Sequence, residues 1–170
     1  MGEEVGSIVR GLTGLMVVAA ASLWLTVSRF EREAAPPERR RLQILVGLVI
    51  VVQTTHFIEE LIAGFHMRFP ELLGLAPWPF GFFVGFNLFW IAVWGLSALV
   101  VGRRIRGALF PIWFLAVGSA LNGIAHPTMA LMDAGYFPGL LTSPVCGIAG
   151  VMLLRSLTAY TVGRSPLRGT

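Results

Sequence analysis

Five long apolar segments constrain this chain more than any other feature of its sequence. Each is close to the roughly 20 residues that an α-helix needs to cross about 30 Å of hydrocarbon. Charged residues make up only 13% of the 170 positions, whereas soluble domains are about one quarter charged. We therefore predict one all-α domain over residues 1–170, a five-helix transmembrane bundle. The predicted helices cover residues 11–28, 42–63, 82–101, 108–125 and 140–162.

The basic residues between these segments predict an orientation. Cytoplasmic loops of membrane proteins carry an excess of Lys and Arg, and here the first and third connections and the tail hold most of the arginines, whereas the second connection holds only Arg68. We therefore expect the N-terminus outside and the C-terminus in the cytoplasm, in a multi-pass protein of the inner (plasma) membrane of the cell. The ten arginines of those three segments are Arg29, Arg32, Arg39, Arg40 and Arg41, then Arg103, Arg104 and Arg106, and finally Arg164 and Arg168.

The same distribution bears on partners. A net charge of +4 does not indicate nucleic-acid binding, because the arginines lie in short clusters between apolar segments, where topology accounts for them. Membrane lipid is the expected partner, together with a hydrophobic small molecule. Cys146 is the single cysteine, so neither an intrachain disulfide nor a cysteine-rich metal site is predicted. The sequence leaves the oligomeric state open.

The stretch QTTHFIEELIAGF, residues 53–65, places ionisable residues inside the second apolar segment. A charged group buried in a bilayer costs on the order of 3 kcal/mol on insertion scales, so its presence needs a reason. With the predicted orientation, four helices bring polar side chains to one level near the outer face. We therefore predict an outward-opening polar pocket. Its members are Gln53, His56, Glu59, Glu60, Asn87, Asn122, His126, Thr142 and Ser143.

Helical spacing separates the two glutamates. Glu60 is four residues from His56 and shares its face, whereas Glu59 is rotated by about 100° from Glu60. At least one carboxylate must therefore face the bundle interior beside the imidazole. We predict His56, Glu59 and Glu60 as catalytic residues. The predicted lining of the pocket is Gln53, Asn87, Asn122, His126 and Thr142.

Other polar and aromatic residues have simpler interpretations. The connection FHMRFPELLGLAPWPFG is predicted to be an interfacial lid rather than a helix, with His66 solvated. Asp133 and Tyr136 are predicted turn residues, and Tyr136 also a membrane-interface anchor. Trp90 is a packing or lipid-facing residue, with pocket lining as the alternative. The small-residue spacings in GLTGL and GIAG predict close helix packing.

The chain also resembles a known family. HFIEE at residues 56–60, NGIAHP at 122–127 and YFPGLLTSP at 136–144 resemble the HXXEE-domain family of small bacterial multi-pass membrane proteins. The likeness covers residues 50 to about 150. It implies that His56, Glu59 and Glu60 form the family motif, with Asn122 and His126 as further matches. The activity of that family is generally described as unknown.

A more distant likeness is to the emopamil-binding sterol isomerase family. Those proteins also have five helices and use intramembrane His and Glu groups as proton donors and acceptors on a lipid double bond. The spacing of HFIEE differs from the motif of that family, so the likeness concerns the chemistry alone.

Three functions from different classes remain open. The first is a membrane enzyme in which the His and Glu side chains move protons on a lipid or isoprenoid-like substrate. The second is a divalent metal site, zinc or iron, with His56, Glu60 and His126 as ligands and Glu59 as a fourth ligand or base. The third is a structural or accessory subunit in which polar contacts tie helices together. Transport is disfavoured because no inverted repeat is visible.

Overall fold

The computed structural model describes residues 2–31, 35–101, 103 and 105–163, and this part of the chain is almost entirely helical. A short antiparallel pairing of β1 with β2 joins the end of the second helix to the end of the last. The elements are α1 (Gly2–Gly11), α2 (Thr13–Ser28), β1 (Arg29–Glu31), α3 (Pro36–Ile62), α4 (Phe65–Leu72), α5 (Phe80–Val100), a 3₁₀ turn (Arg106–Ala108), α6 (Leu109–Met132), α7 (Ser143–Tyr160) and β2 (Thr161–Gly163).

Four of these helices, α3, α5, α6 and α7, are long and apolar enough to cross a membrane. Helices α1 and α2 meet at a bend of 47° and make a fifth crossing if the pair counts as one broken span. The all-helical, membrane-type architecture is thus confirmed, and the orientation stays a prediction. Four arginines used for it lie outside the described residues: Arg32, Arg104, Arg164 and Arg168.

Several helices run beyond the bounds that hydropathy predicted. Helix α3 begins at Pro36 instead of residue 42, and the Glu38 carboxylate accepts a hydrogen bond of 3.2 Å from the Ala35 N–H at its start. Helix α6 continues through Pro127 to Met132. Proline cannot donate the backbone hydrogen bond of a helix, but a membrane bundle tolerates the loss of that bond. The predicted irregular lid contains helix α4. Each difference involves polar residues or proline, which hydropathy scores as a helix end.

Helix α6 is the centre of the bundle. Its first half is buried on all sides and contributes Ile112, Trp113 and Leu115 to the core. Helix α7 approaches it most closely, since a Cβ atom built on Gly123 would lie 2.7 Å from the Cα atom of Gly147. The predicted close packing at GIAG is therefore confirmed. Helices α2 and α5 also pack on α6, while α3 packs on α5, α6 and α7.

Candidate metal centre

Three ionisable side chains from two helices converge at one end of the bundle. The Nε2 atoms of His56 and His126 are 3.1 Å apart. The Glu60 Oε1 atom lies 3.6 Å from the first of these nitrogens and 3.4 Å from the second. We call His56, Glu60 and His126 the triad. All three are buried, and they form a group whose ligand atoms could hold one metal ion.

The helix geometry explains how the triad assembles. His56 and Glu60 are one turn apart on α3, as the four-residue spacing predicted. His126 lies in α6 rather than at its end, because that helix continues to Met132. The two imidazole rings meet edge to face with their centroids 4.5 Å apart. The predicted contact between His56, one glutamate and His126 is therefore present.

The other nitrogen of His56 fixes its tautomer. His56 Nδ1 lies 2.7 Å from the Thr142 Oγ1 atom, and that hydroxyl is 2.6 Å from a carboxylate oxygen of Glu59. An ionised carboxylate only accepts hydrogen bonds, so the Thr142 hydroxyl donates to Glu59 and accepts from His56. We therefore assign the proton of neutral His56 to Nδ1. Its Nε2 atom then presents a lone pair to the triad.

His126 is fixed in the same tautomer by a backbone carbonyl. Its Nδ1 atom lies 2.7 Å from the Pro138 oxygen, which can only accept, so Nδ1 carries the proton of the neutral ring. Pro138 and Phe137 are buried in the loop of residues 133–142 between α6 and α7. Gly139 follows with φ of +88°, a left-handed conformation that favours glycine. The loop therefore holds His126 by its backbone.

Both imidazoles consequently direct an unprotonated Nε2 at the same point as the Glu60 oxygen. Without a positive charge between them, two lone pairs at 3.1 Å and a nearby carboxylate repel one another. A point equidistant from three atoms separated by 3.1, 3.4 and 3.6 Å lies about 2.0 Å from each, which is the usual Zn–N and Zn–O bond length. The triad thus has the size of a metal-ligand set, and the tautomers of its two neutral imidazoles suit one.

Glu59 faces away from the triad and binds the α6–α7 loop. Its carboxylate accepts hydrogen bonds from the Leu141 and Thr142 backbone N–H groups at 3.0 and 2.8 Å. It also accepts from the Thr142 hydroxyl and, at 2.9 Å, from the Tyr136 hydroxyl. Burial and the contacts with Glu59 raise the pKa of Tyr136 to about 12, so this hydroxyl remains a donor. Glu59 therefore positions His56 through Thr142.

A cavity of about 430 Å³ begins at the triad and runs along the bundle. Glu60 and His126 line it, whereas His56 is fully buried behind them. Three residues predicted for the pocket also line this cavity, namely Gln53, Asn87 and Asn122. Thr142, the remaining predicted lining residue, contacts His56 from the opposite side. Trp90 lines the cavity, which was the alternative interpretation of that residue.

Helix α4 covers the triad end of the cavity. The Phe65 ring packs 5.6 Å from the His126 ring and 6.0 Å from Phe137, measured between centroids. An ion pair between Arg68 and Asp133 links α4 to the end of α6. The aromatic rings make the surroundings of the triad apolar on this side, so any charge placed there interacts more strongly than it would in water.

The sequence singled out Glu59 and Thr142 as site residues, but not the other residues that hold the triad in place. Tyr136 was predicted as a turn residue and an interface anchor, whereas its hydroxyl donates to Glu59. Pro138 and Gly139 were not singled out at all. The signal was present in the segment YFPGLL, where proline and glycine next to buried apolar residues indicate a tightly packed turn.

Comparisons with protein-family models, with curated proteins and with solved structures give no match to this chain. The resemblance to the HXXEE-domain family therefore stays a prediction.

Proposed function

We propose that this chain is an HXXEE-type inner-membrane enzyme that binds one divalent metal ion and uses it in acid/base chemistry on a lipid or isoprenoid-like substrate. The observation that supports it best is the convergence of two Nε2 lone pairs and one carboxylate oxygen, each imidazole being locked by a partner on its other nitrogen. Metal-bound histidines in proteins are held in this way by carboxylates and backbone carbonyls.

The spacing of the triad favours zinc. Tetrahedral ligands at about 2.05 Å from a metal are about 3.3 Å apart, whereas octahedral neighbours at the same bond length are about 2.9 Å apart. The three separations of 3.1, 3.4 and 3.6 Å fit the tetrahedral case. Two histidines and one glutamate with a fourth position left for water or substrate are a ligand set of catalytic zinc.

Such a centre has two uses for a substrate in the cavity. Zinc held by His56, Glu60 and His126 would polarise a carbonyl oxygen as a Lewis acid or make a water molecule more acidic. The chain itself supplies the apolar surroundings, and Glu60 and His126 are the ligands that line the cavity. Glu59 is engaged by four donors, so its role is to orient His56.

A second candidate is a proton shared within the triad without metal. It is favoured by the Nε2 to Nε2 separation of 3.1 Å, which suits one bridging proton between His56 and His126. However, the Glu60 oxygen lies 3.4 and 3.6 Å from the two nitrogens, beyond the usual length of a strong hydrogen bond. A central cation engages all three groups, so we rank the metal first.

Metal analysis tests the proposal directly. We expect the detergent-purified protein to bind about one zinc ion per chain, and to release it on acidification because protons compete for the ligand atoms. The matched control is His66→Ala, which removes the histidine outside the triad and should leave the stoichiometry unchanged. A protein that takes up no zinc, iron or other divalent metal from excess in solution would contradict a metal centre.

The orientation is part of the proposal and has its own test. Cysteine-reactive probes that do not cross membranes should label a cysteine placed at Arg103 from the cytoplasmic side and one placed at Ala134 from the outside. The expectation follows from the arginine distribution. Both positions belong to connections between described helices. Labelling of both from the same side would contradict the predicted topology.

A further inference from the structure

The cavity extends far beyond the triad. On α5 its lining runs from Phe82 to Trp94, and on α6 from Phe114 to Met129. At 1.5 Å per residue these ranges are about 18 Å long on α5 and about 22 Å on α6. The cavity is therefore a long slot parallel to the helices, and the triad occupies only one end.

Polarity changes along this slot. Near the triad its lining includes the amide side chains of Gln53, Asn87 and Asn122 among aromatic rings, whereas further along it is apolar, with Trp90, Trp94 and Leu115. The Asn87 Nδ2 group donates to the Phe83 carbonyl, and Gln53 accepts from Ser119, so these amides are fixed in place. A ligand that satisfies both ends must have a polar head at the triad and an apolar tail.

The side of the slot lies between helices α2 and α5. Both helices line it and pack on α6, but they make little direct contact with each other. Small residues of α1 and α2 border this gap, including Gly11 and Gly14. In a bilayer such a gap faces the lipid chains, so it admits a molecule from the side.

The size of the slot restricts the tail. A volume of about 430 Å³ lies in the lower part of the range of about 300–1,000 Å³ that is typical of small-molecule pockets. A cavity of this size suits one apolar chain better than the two chains of a phospholipid.

From the slot, its polarity and the gap, we infer that the cavity binds a single-chain amphiphile, with its head at the triad and its tail between α2, α5 and α6. This inference rests on the proposed function for the role of the triad. The substrate class is thus a lipid with one acyl or isoprenoid chain and an oxygen-bearing head, which reaches the triad sideways from the membrane.

Photolabelling of the full chain in phosphatidylcholine nanodiscs tests this inference. The probe is palmitic acid with a diazirine in its chain, compared with a phosphatidylcholine that carries the same diazirine on one of two chains. We expect saturable labelling of cavity residues by the single-chain probe, prevented by unlabelled palmitic acid. The two-chain probe should label only lipid-facing residues.

A blocking variant and a matched control complete the design. Gly118 lines the cavity, and its added Cβ would meet only Val18 at 3.9 Å, so the ring in Gly118→Phe fills the slot. We expect labelling to fall at least tenfold. Gly85→Phe, on the exposed outside of α5, should change nothing. If Gly118→Phe does not fold, Gly14→Phe blocks the slot from α2.

Zinc is measured on every variant, which separates the two proposals. Unchanged labelling in a folded blocking variant, or equal labelling of cavity residues by the two-chain probe, would overturn the single-chain inference even if zinc is bound. Saturable single-chain labelling in a wild-type protein that binds no metal would overturn the metal centre and leave the cavity assignment in place.

Discussion

Glu60→Gln is expected to lower zinc affinity by about 100-fold or more while the protein still folds. Substitutions around metal ligands typically cost 10 to 100-fold in affinity, and Glu60 is a proposed ligand, 3.4 and 3.6 Å from the two imidazole nitrogens. A factor of 100 corresponds to about 2.7 kcal/mol. Glutamine keeps the shape of the side chain but removes the charge that pairs with the cation. Zinc titration with a competing chelator measures the change.

The matched control is Glu71→Gln, which makes the same change at an exposed position on α4. It should bind zinc as tightly as the wild type. Three outcomes for Glu60→Gln separate the three functions. Loss of zinc supports the metal centre, loss of turnover with unchanged metal content supports a shared proton, and a change in melting temperature alone supports a structural role.

Gly139→Ala is expected to destabilise the protein by about 2–5 kcal/mol and to abolish zinc binding. An added Cβ would lie 2.5 Å from the His126 ring and 2.8 Å from the His56 ring, so both proposed ligands must move. The estimate combines about 1–2 kcal/mol for a left-handed non-glycine residue with about 1–3 kcal/mol for overpacking. Thermal unfolding and zinc titration measure the two effects.

Gly74→Ala provides the control, because it has the same kind of conformation without the clash. Gly74 has φ of +67°, and nothing lies within 4 Å of its added Cβ. It should cost only the conformational part, about 1–2 kcal/mol, and should retain zinc. Equal behaviour of the two variants would mean that the α6–α7 loop does not hold the triad.

The sequence predicted the triad because its geometry depends on local helix periodicity and on depth in the membrane. The spacing of His56 and Glu60 places them on one face of a helix. The hydropathy pattern predicted that His126 lies at a similar depth in the membrane. The end of α6 was placed too early at residue 125, but this error did not matter, because the depth of His126 depends on where the helix crosses the membrane and not on where it stops.

The separation of roles between the two glutamates could not be predicted. Helical rotation shows only that Glu59 and Glu60 point in different directions. What Glu59 meets is decided by the path of the α6–α7 loop, and that path depends on Gly139 and on buried Phe137. These are contacts between residues distant in sequence, for which periodicity gives no signal. The break between α1 and α2 also involves residues distant in sequence, because Gly11 packs against the Trp78 ring.

The support of His56 by Thr142 has a consequence for biosynthesis. The two residues are separated by 86 positions, and a ribosome adds about 5–20 residues per second. Thr142 is therefore synthesised about 4–17 seconds after His56. During that interval the imidazole of His56 lacks its native partner, so the proposed metal centre would be complete only after the α6–α7 loop has been made and has packed against α3. Metal content would then report the fraction of newly made protein that has finished assembly.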